Sequence, residues 1–156
     1  MSEIFDPFSL MFWVISAIAL VLALSVHEFC HAFAADRLGD PTPRLQGRLT
    51  LNPLKHLDPI GTLSLIFLRF GWGKPVQFGP YNLRHPKRDA AIIALAGPLS
   101  NFLMAGLSAL ILRLILYFNT GGVTMSFLAS SPTPLSFLVT LLMFLITVNI
   151  GLGVFN

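Results

Sequence analysis

Three long apolar runs constrain this chain more than any other feature of its sequence. They cover Phe8 to Val26, Ala90 to Phe118 and Leu135 to Phe155. A helix needs about 20 apolar residues to cross a hydrocarbon core of roughly 30 Å, so each run is long enough. Apolar residues make up 54% of the chain and charged residues only 11%, against about 25% charged in a typical soluble domain. We therefore predict an α-helical polytopic membrane protein with about three transmembrane helices.

The basic residues are concentrated between the first two apolar runs. Nine of the ten Lys and Arg residues lie between Arg37 and Arg88, and the tenth is Arg113. Because cytoplasmic loops of membrane proteins are enriched in Lys and Arg, the loop at 40–86 is predicted to lie on the cytoplasmic side. The N-terminus then lies on the opposite side. No nucleic-acid partner is expected, because no folded soluble module carries these basic residues.

Local signals predict where the helices end and what lies between them. The first helix is expected to stop near Gly39 and the second to start near Pro86. The loop between them is predicted to contain short strands at 44–51 and 74–78. Residues 59–70 are apolar but too short to span, so this run is expected to be re-entrant or interfacial.

We treat residues 1–156 as a single membrane-embedded core, with the loop at 40–86 as part of it. One motif within this core carries chemistry. His27, Glu28 and His31 form an H-E-x-x-H pattern in the cytoplasmic half of the first apolar stretch. Residues i and i+4 share a helix face, so both imidazoles can reach one zinc ion, while the Glu can act on water as a general base.

The position of this motif favours function over structure. An ionised carboxylate inside a bilayer costs at least about 2.5 kcal/mol, and such groups usually mark functional sites. The alternative is a structural polar cluster buried between helices. That alternative explains a lone histidine better than it explains two at metal-ligand spacing with a Glu between them.

The motif and several further stretches resemble the site-2 proteases, a family of intramembrane zinc metalloproteases, and most closely their compact prokaryotic members. The resemblance covers nearly the whole chain. Beyond the motif, the similar stretches are Asp36 to Thr42, Gly47 to Pro53, His56 to Thr62, Gly73 to Val76 and Ala96 to Asn101. The resemblance implies that His27 and His31 bind zinc and that Glu28 activates water.

Two further residues are candidates for positioning the substrate. Gly97-x-x-x-Asn101 looks like the family's second signature, and Asn101 lies about 16 Å along its helix from Ala90, which brings it toward the depth of His27. Its amide could hold a substrate backbone or an oxyanion, or it could only bond across helices. His56, in the loop, is predicted to have a supporting role, although it could instead cap a turn.

The third zinc ligand is where the sequence departs from the family. The resemblance implies an aspartate from a later Pro-Leu-Asp-Gly-like segment, whereas the sequence ends at Asn156. We therefore expect a form truncated before this ligand, which alone binds zinc weakly and does not cleave. Asp58 is not expected to bind the metal itself, since Asp58-Pro59 is also ordinary turn chemistry, although the loop offers it as a substitute for the missing ligand.

These observations together predict a zinc metalloendopeptidase that is a multi-pass protein of a prokaryotic plasma membrane. It is expected to hydrolyse peptide bonds of membrane-spanning protein substrates near the cytoplasmic face of the lipid bilayer. The sequence leaves a homo-oligomer open. The alternative function is a non-catalytic membrane scaffold, or a metal-binding homologue that retains the H-E-x-x-H motif.

Overall fold

The computed structural model describes residues 7–68, 72–119 and 133–155. Within these ranges, three helices are long and apolar enough to cross a membrane. The helices are α1 (Pro7–Arg37), α2 (Thr42–Leu45), α3 (Pro59–Leu68), α4 (Pro86–Phe118) and α5 (Pro134–Phe155). The three spans are α1, α4 and α5, which confirms the predicted helical class and its three membrane-length helices.

The three long helices pack against one another in pairs. The buried face of α1 repeats every four residues, through Ile15, Ala19 and Ala23. Small side chains such as alanine let helix backbones approach closely, which is how helices commonly associate in membranes. Continuing the same repeat leads to His27 and His31, so the H-E-x-x-H motif lies on the face that α1 turns toward its neighbours.

The predicted helix boundaries agree with the structure. Gly39 follows α1 with a φ of 107°, a left-handed conformation that glycine adopts without strain. The Asp40 N–H donates to Ala35 O at 3.0 Å, and the Gly39 N–H donates to Asp36 O at 3.3 Å. This bond pair is a Schellman motif, which satisfies the last carbonyls of α1. At the other boundary, α4 begins at Pro86, as predicted.

The predicted strand at 44–51 is wrong. The helix α2 (Thr42–Leu45) occupies its beginning, with Pro43 in the first turn, and Gly47 then turns the chain at a φ of 66°. Proline fixes φ near −65° and suits the first turn of a helix, so its effect outweighs a partial alternation of side chains.

The predicted strand at 74–78 is not confirmed either. Residues 74–78 form no regular secondary structure, and in the described part of the loop the β pairing is limited to one antiparallel bridge between Leu57 and Gly73. The apolar run at 59–70 forms α3 (Pro59–Leu68), and its last two residues lie outside the described ranges. Its re-entrant or interfacial placement stays a prediction.

A buried carboxylate ties the end of α1 to the distant part of the loop. Asp40 is fully buried. Its side chain accepts hydrogen bonds from the Thr42 N–H and hydroxyl at 3.1 and 2.6 Å, from the Gly79 N–H at 2.6 Å and from the Asn82 amide at 2.7 Å. Burial alone raises the pKa of Asp40, but the bonds from Thr42, Asn82 and Gly79 outweigh it and lower that pKa below 3.8.

Asp40→Asn should destabilise the fold, because the Asn amide nitrogen cannot accept hydrogen bonds from the donors that surround it. The loss should be about 1–3 kcal/mol at neutral pH. Since the folded-state pKa of Asp40 is lowered, the wild-type stabilisation is present above about pH 4 and is lost as pH falls through that lower pKa. Thermal unfolding of the detergent-solubilised protein at several pH values between about 3 and 7 measures this pH dependence of stability.

Asp36→Asn is the matched control, because its carboxylate pairs with the exposed Arg44. An exposed ion pair contributes about 0–1 kcal/mol, so this variant should unfold nearly as the wild type does. An Asp40→Asn profile that keeps the full acid sensitivity of the wild type contradicts the assignment.

Candidate metal centre

The two histidines of the motif point their Nε2 atoms at each other. His27 Nε2 and His31 Nε2 lie 2.9 Å apart, and the rings are nearly perpendicular, at 81°. Two imidazoles that bind one tetrahedral zinc at about 2.0–2.1 Å hold their nitrogens about 3.3 Å apart. The observed pair therefore needs only a small opening to take a metal ion.

Helix α4 holds the far side of both rings. His31 Nδ1 lies 2.6 Å from the carbonyl oxygen of Ile93. Since a carbonyl can only accept, His31 Nδ1 carries the proton and its Nε2 presents a lone pair. This is the tautomer of a metal-binding histidine, with its second nitrogen fixed by a backbone carbonyl.

Asn101 plays the corresponding part for His27. Its amide lies 3.0 Å from His27 Nδ1, with Nδ2 facing the ring, while its buried Oδ1 has no hydrogen-bond partner among the described residues. Oxygen and nitrogen of an amide exchange places by a half-turn. After that turn Oδ1 accepts from a protonated Nδ1, which leaves the lone pair on His27 Nε2 for a metal.

Space beside the two nitrogens depends on a glycine of α4. A Cβ atom added to Gly97 would lie 2.3 Å from His31 Nε2 and 2.6 Å from His27 Nε2. Any side chain here would collide with both atoms that would bind the metal. Gly97 therefore lets α4 close over the histidine pair while keeping the volume at their tips free.

Glu28, next to His27 on α1, lines a cavity. Its Oε2 accepts a hydrogen bond from the Val76 N–H at 2.8 Å. The cavity has a volume of about 440 Å³ and lies between α1, α3, the segment 72–75 and the end of α5. Its lining is mainly apolar, with Leu20, Leu24, Leu57, Trp72, Pro75 and Leu152 among its walls.

The described residues bring together two side chains, His27 and His31, that could bind zinc. Within residues 7–68, 72–119 and 133–155, no group of three His, Cys, Asp or Glu side chains could hold a metal ion. Asp58 accepts the Gly61 N–H at 2.9 Å and so caps the start of α3. The structure does not bring this substitute ligand to the histidine pair. Two neutral imidazoles fit zinc, which in catalytic sites takes three protein ligands.

The two predicted substrate-positioning residues lie in different places. Asn101 is at the histidine pair, where it makes the contact to His27. His56 is fully buried, its Nε2 lies 2.7 Å from Thr50 O, and it is not among the residues that line the apolar cavity. For both residues, contact with a substrate stays a prediction.

Sequence reasoning missed the contact between Glu28 and Val76. The stretch Gly73 to Val76 was singled out by resemblance, but nothing in it indicates which atom meets the motif. Close packing is visible only in three dimensions: a Cβ added to Gly73 would lie 2.6 Å from the side chain of Leu24. The glycine therefore allows this segment to lie against α1.

The fold and this site define a helical membrane protein with a metalloprotease motif. The proteins to which the chain is similar carry names of the same class. The chain is 38% identical to "Putative zinc metalloprotease YwhC" of Bacillus subtilis over 112 residues, which are 72% of the chain and 50% of that protein. It is 40% identical to "Putative zinc metalloprotease Rip2" of Mycolicibacterium smegmatis over 90 residues, 54% of the chain and 34% of that protein.

"Putative zinc metalloprotease Rip2" of Mycobacterium tuberculosis is 33% identical over 101 residues, 61% of the chain and 38% of the relative. The resemblance is confirmed: the chain belongs to the site-2 protease family. The matches span half the length of YwhC and less of each Rip2 protein. No family model matches the chain, and no solved structure matches it significantly.

Gly97→Ala should lower zinc affinity by at least about tenfold, since changes beside metal ligands commonly cost 10–100-fold. The reason is the collision of its methyl group with both Nε2 atoms. Competition with a chromophoric chelator measures the affinity. Gly106→Ala is the matched control on the same helix, because its added Cβ meets no atom within 4 Å. Equal zinc affinities in the two variants would show that Gly97 does not shape the site.

Proposed function

We propose that this chain carries the zinc-binding histidine pair and the general base of an intramembrane metalloendopeptidase. The observation that carries the proposal is the convergence of His27 Nε2 and His31 Nε2, 2.9 Å apart. Both rings are held from behind by α4, and Glu28 lies on the same turn of α1. At this distance one Nε2 donates a hydrogen bond to the other, and a metal ion bound by both nitrogens would replace that bond.

His27 and His31 would hold the metal, with Ile93 O and Asn101 fixing their orientation. When bound, zinc supplies a Lewis acid that polarises the peptide carbonyl and lowers the pKa of water. Glu28 takes the proton from the attacking water on its carboxylate and later returns it to the leaving amine. The bond from Val76 N–H holds one carboxylate oxygen, Oε2, and leaves the other for this proton.

We further propose that the substrate is an apolar, membrane-spanning segment of a protein. The cavity that Glu28 lines is mainly apolar and large enough, at about 440 Å³, for several side chains of an extended peptide. A helical peptide bond is already hydrogen-bonded and covered, so the substrate must unwind before cleavage. A cavity walled by α1, α3 and α5 shields the unwound segment from lipid.

Cleavage is proposed to take place near the cytoplasmic face of a bacterial plasma membrane. The basic loop supports this orientation, because nine of the ten Lys and Arg residues lie between Arg37 and Arg88. The motif lies in the half of α1 that leads into this loop. The bacterial sources of the relatives support the membrane assigned.

The decisive variant is Glu28→Gln, which is nearly isosteric and leaves both imidazoles in place. It should retain zinc within about twofold but lower the cleavage rate at least about 10²-fold, because an amide cannot accept the proton from water. His27→Ala and His31→Ala should lose the metal. Zinc content and cleavage of a membrane-spanning peptide in proteoliposomes, with protein expressed from its own gene, measure these effects.

Cys30→Ala is the control within the motif, because Cys30 is half-buried and lies outside the ligand pair. It should keep both zinc and cleavage. Unchanged zinc in both histidine variants contradicts the metal assignment. Zinc binding without cleavage in the wild type points instead to the metal-binding homologue that retains the motif.

A further inference from the structure

A second cavity lies beside the apolar one, and its character is opposite. It has a volume of about 370 Å³ and is lined by Gln46, Arg48, Lys74, Pro75 and Gln77. Pro75 also lines the apolar cavity that reaches Glu28, so the two spaces share a wall at this residue. Two of the five lining residues are cationic.

Arg48 is the unusual member of this cavity. It is only 7% exposed. Its Nη1 donates to the carbonyl oxygens of Lys55 and Lys74, the second at 3.4 Å. Within the described ranges, its Nε and Nη2 make no hydrogen bond. The edge of the guanidinium formed by Nε and Nη2 therefore has donors available for a ligand.

No carboxylate of the described chain neutralises Arg48 or Lys74. Each of the five described acidic residues is engaged elsewhere. Glu28 accepts Val76 N–H, Asp36 pairs with Arg44, Asp40 accepts bonds from Thr42, Gly79 and Asn82, Asp58 accepts Gly61 N–H, and Asp89 accepts His85 N–H. The cavity is open to solvent, since Gln46, Lys74, Pro75 and Gln77 are exposed. Its two positive charges have no carboxylate partner among the described residues, so they attract an anion that comes from outside.

We propose that this cavity is a subsite for an acidic side chain of the substrate, an Asp or Glu a few residues to the cytoplasmic side of the scissile bond. The proposal rests on the proposed protease function and adds a specificity to it. The free edge of Arg48 suits a carboxylate, which a guanidinium binds through two parallel hydrogen bonds. Lys74 adds a second positive charge, and Gln46 and Gln77 add amide donors.

The shared wall at Pro75 favours a peptide over a lipid phosphate as the source of the anion. A substrate that fills the apolar cavity at Glu28 can continue past Pro75 to the polar cavity, because this residue lines both. Its apolar residues then lie at the scissile bond, and its acidic residue lies next to Arg48. The apolar residues of one peptide thus contact the apolar cavity, and its acidic residue contacts the basic one.

The test measures peptide binding without hydrolysis, with the Glu28→Gln chain in phosphatidylcholine nanodiscs. The probes are three fluorescent peptides that share a Leu/Ala-rich spanning segment and end in Glu-Glu, Gln-Gln or Lys-Lys on the cytoplasmic side. The Glu peptide should bind at least about tenfold more tightly than the isosteric Gln peptide, and the Lys peptide most weakly. Equal binding of the Glu and Gln peptides overturns the proposal.

Charge reversal at the protein keeps the test decisive. Lys74→Glu, added to Glu28→Gln, should weaken the Glu peptide and strengthen the Lys peptide. Arg48→Gln should remove the preference, but Arg48 also holds two loop carbonyls, so Lys74 carries the test if that variant misfolds. Lys55→Glu is the matched control, because its exposed side chain lies in the same loop but does not line the cavity. An unchanged preference in Lys74→Glu refutes the subsite.

Two further measurements, of lipid binding and of zinc binding with cleavage, distinguish the remaining explanations. If phosphatidylglycerol in the nanodiscs binds in a Lys74-dependent way while peptide charge has no effect, the cavity holds a lipid phosphate and the proposal fails. If the charge preference is present but the wild type neither binds zinc nor cleaves, the protease function fails and the subsite stands. If the wild type cleaves but shows no charge preference, the protease function stands and the subsite fails.

Discussion

The contact between α1 and α4 at Gly97 is the interaction on which the rest of the site depends. Two imidazoles on the buried face of α1 must find polar partners inside an apolar helix pair, because unpaired polar groups are costly there. Helix α4 supplies them one turn before and one turn after Gly97, through Ile93 O and Asn101. A single position without a side chain thus brings the backbone near enough to orient both rings and leaves room at their tips.

The loop is fastened to α1 along its length, which makes it part of the site and not a simple connection. Gly73 packs against Leu24, Val76 N–H binds Glu28, and Gly79 N–H binds Asp40. These contacts follow each other along the segment 73–79 in the same order as their partners along α1 and the turn after it. The segment therefore lies against the C-terminal half of the helix, and its residue Pro75 lines both the apolar and the polar cavity.

The sequence predicts the helices and the histidine pair well because each depends on local information. Span length, the glycine after α1, the proline before α4 and the i, i+4 spacing of His27 and His31 act over one or a few turns. The prediction at 44–51 failed because the first turn of α2, with Pro43, outweighed a weak alternation. Bonds such as Glu28 to Val76 join residues 48 positions apart, and no local pattern encodes which backbone N–H meets which carboxylate.

Scarcity of charge makes the placement of each ionised group informative in this chain. With 11% charged residues, a carboxylate in the described part is present only where it meets backbone donors, a neighbouring cation or the cavity at the motif. Arg48 breaks this pattern, since it is nearly buried and yet faces a cavity without an internal anion. One edge of its guanidinium is used by the carbonyl oxygens of Lys55 and Lys74, and the other edge is available to a ligand of opposite charge.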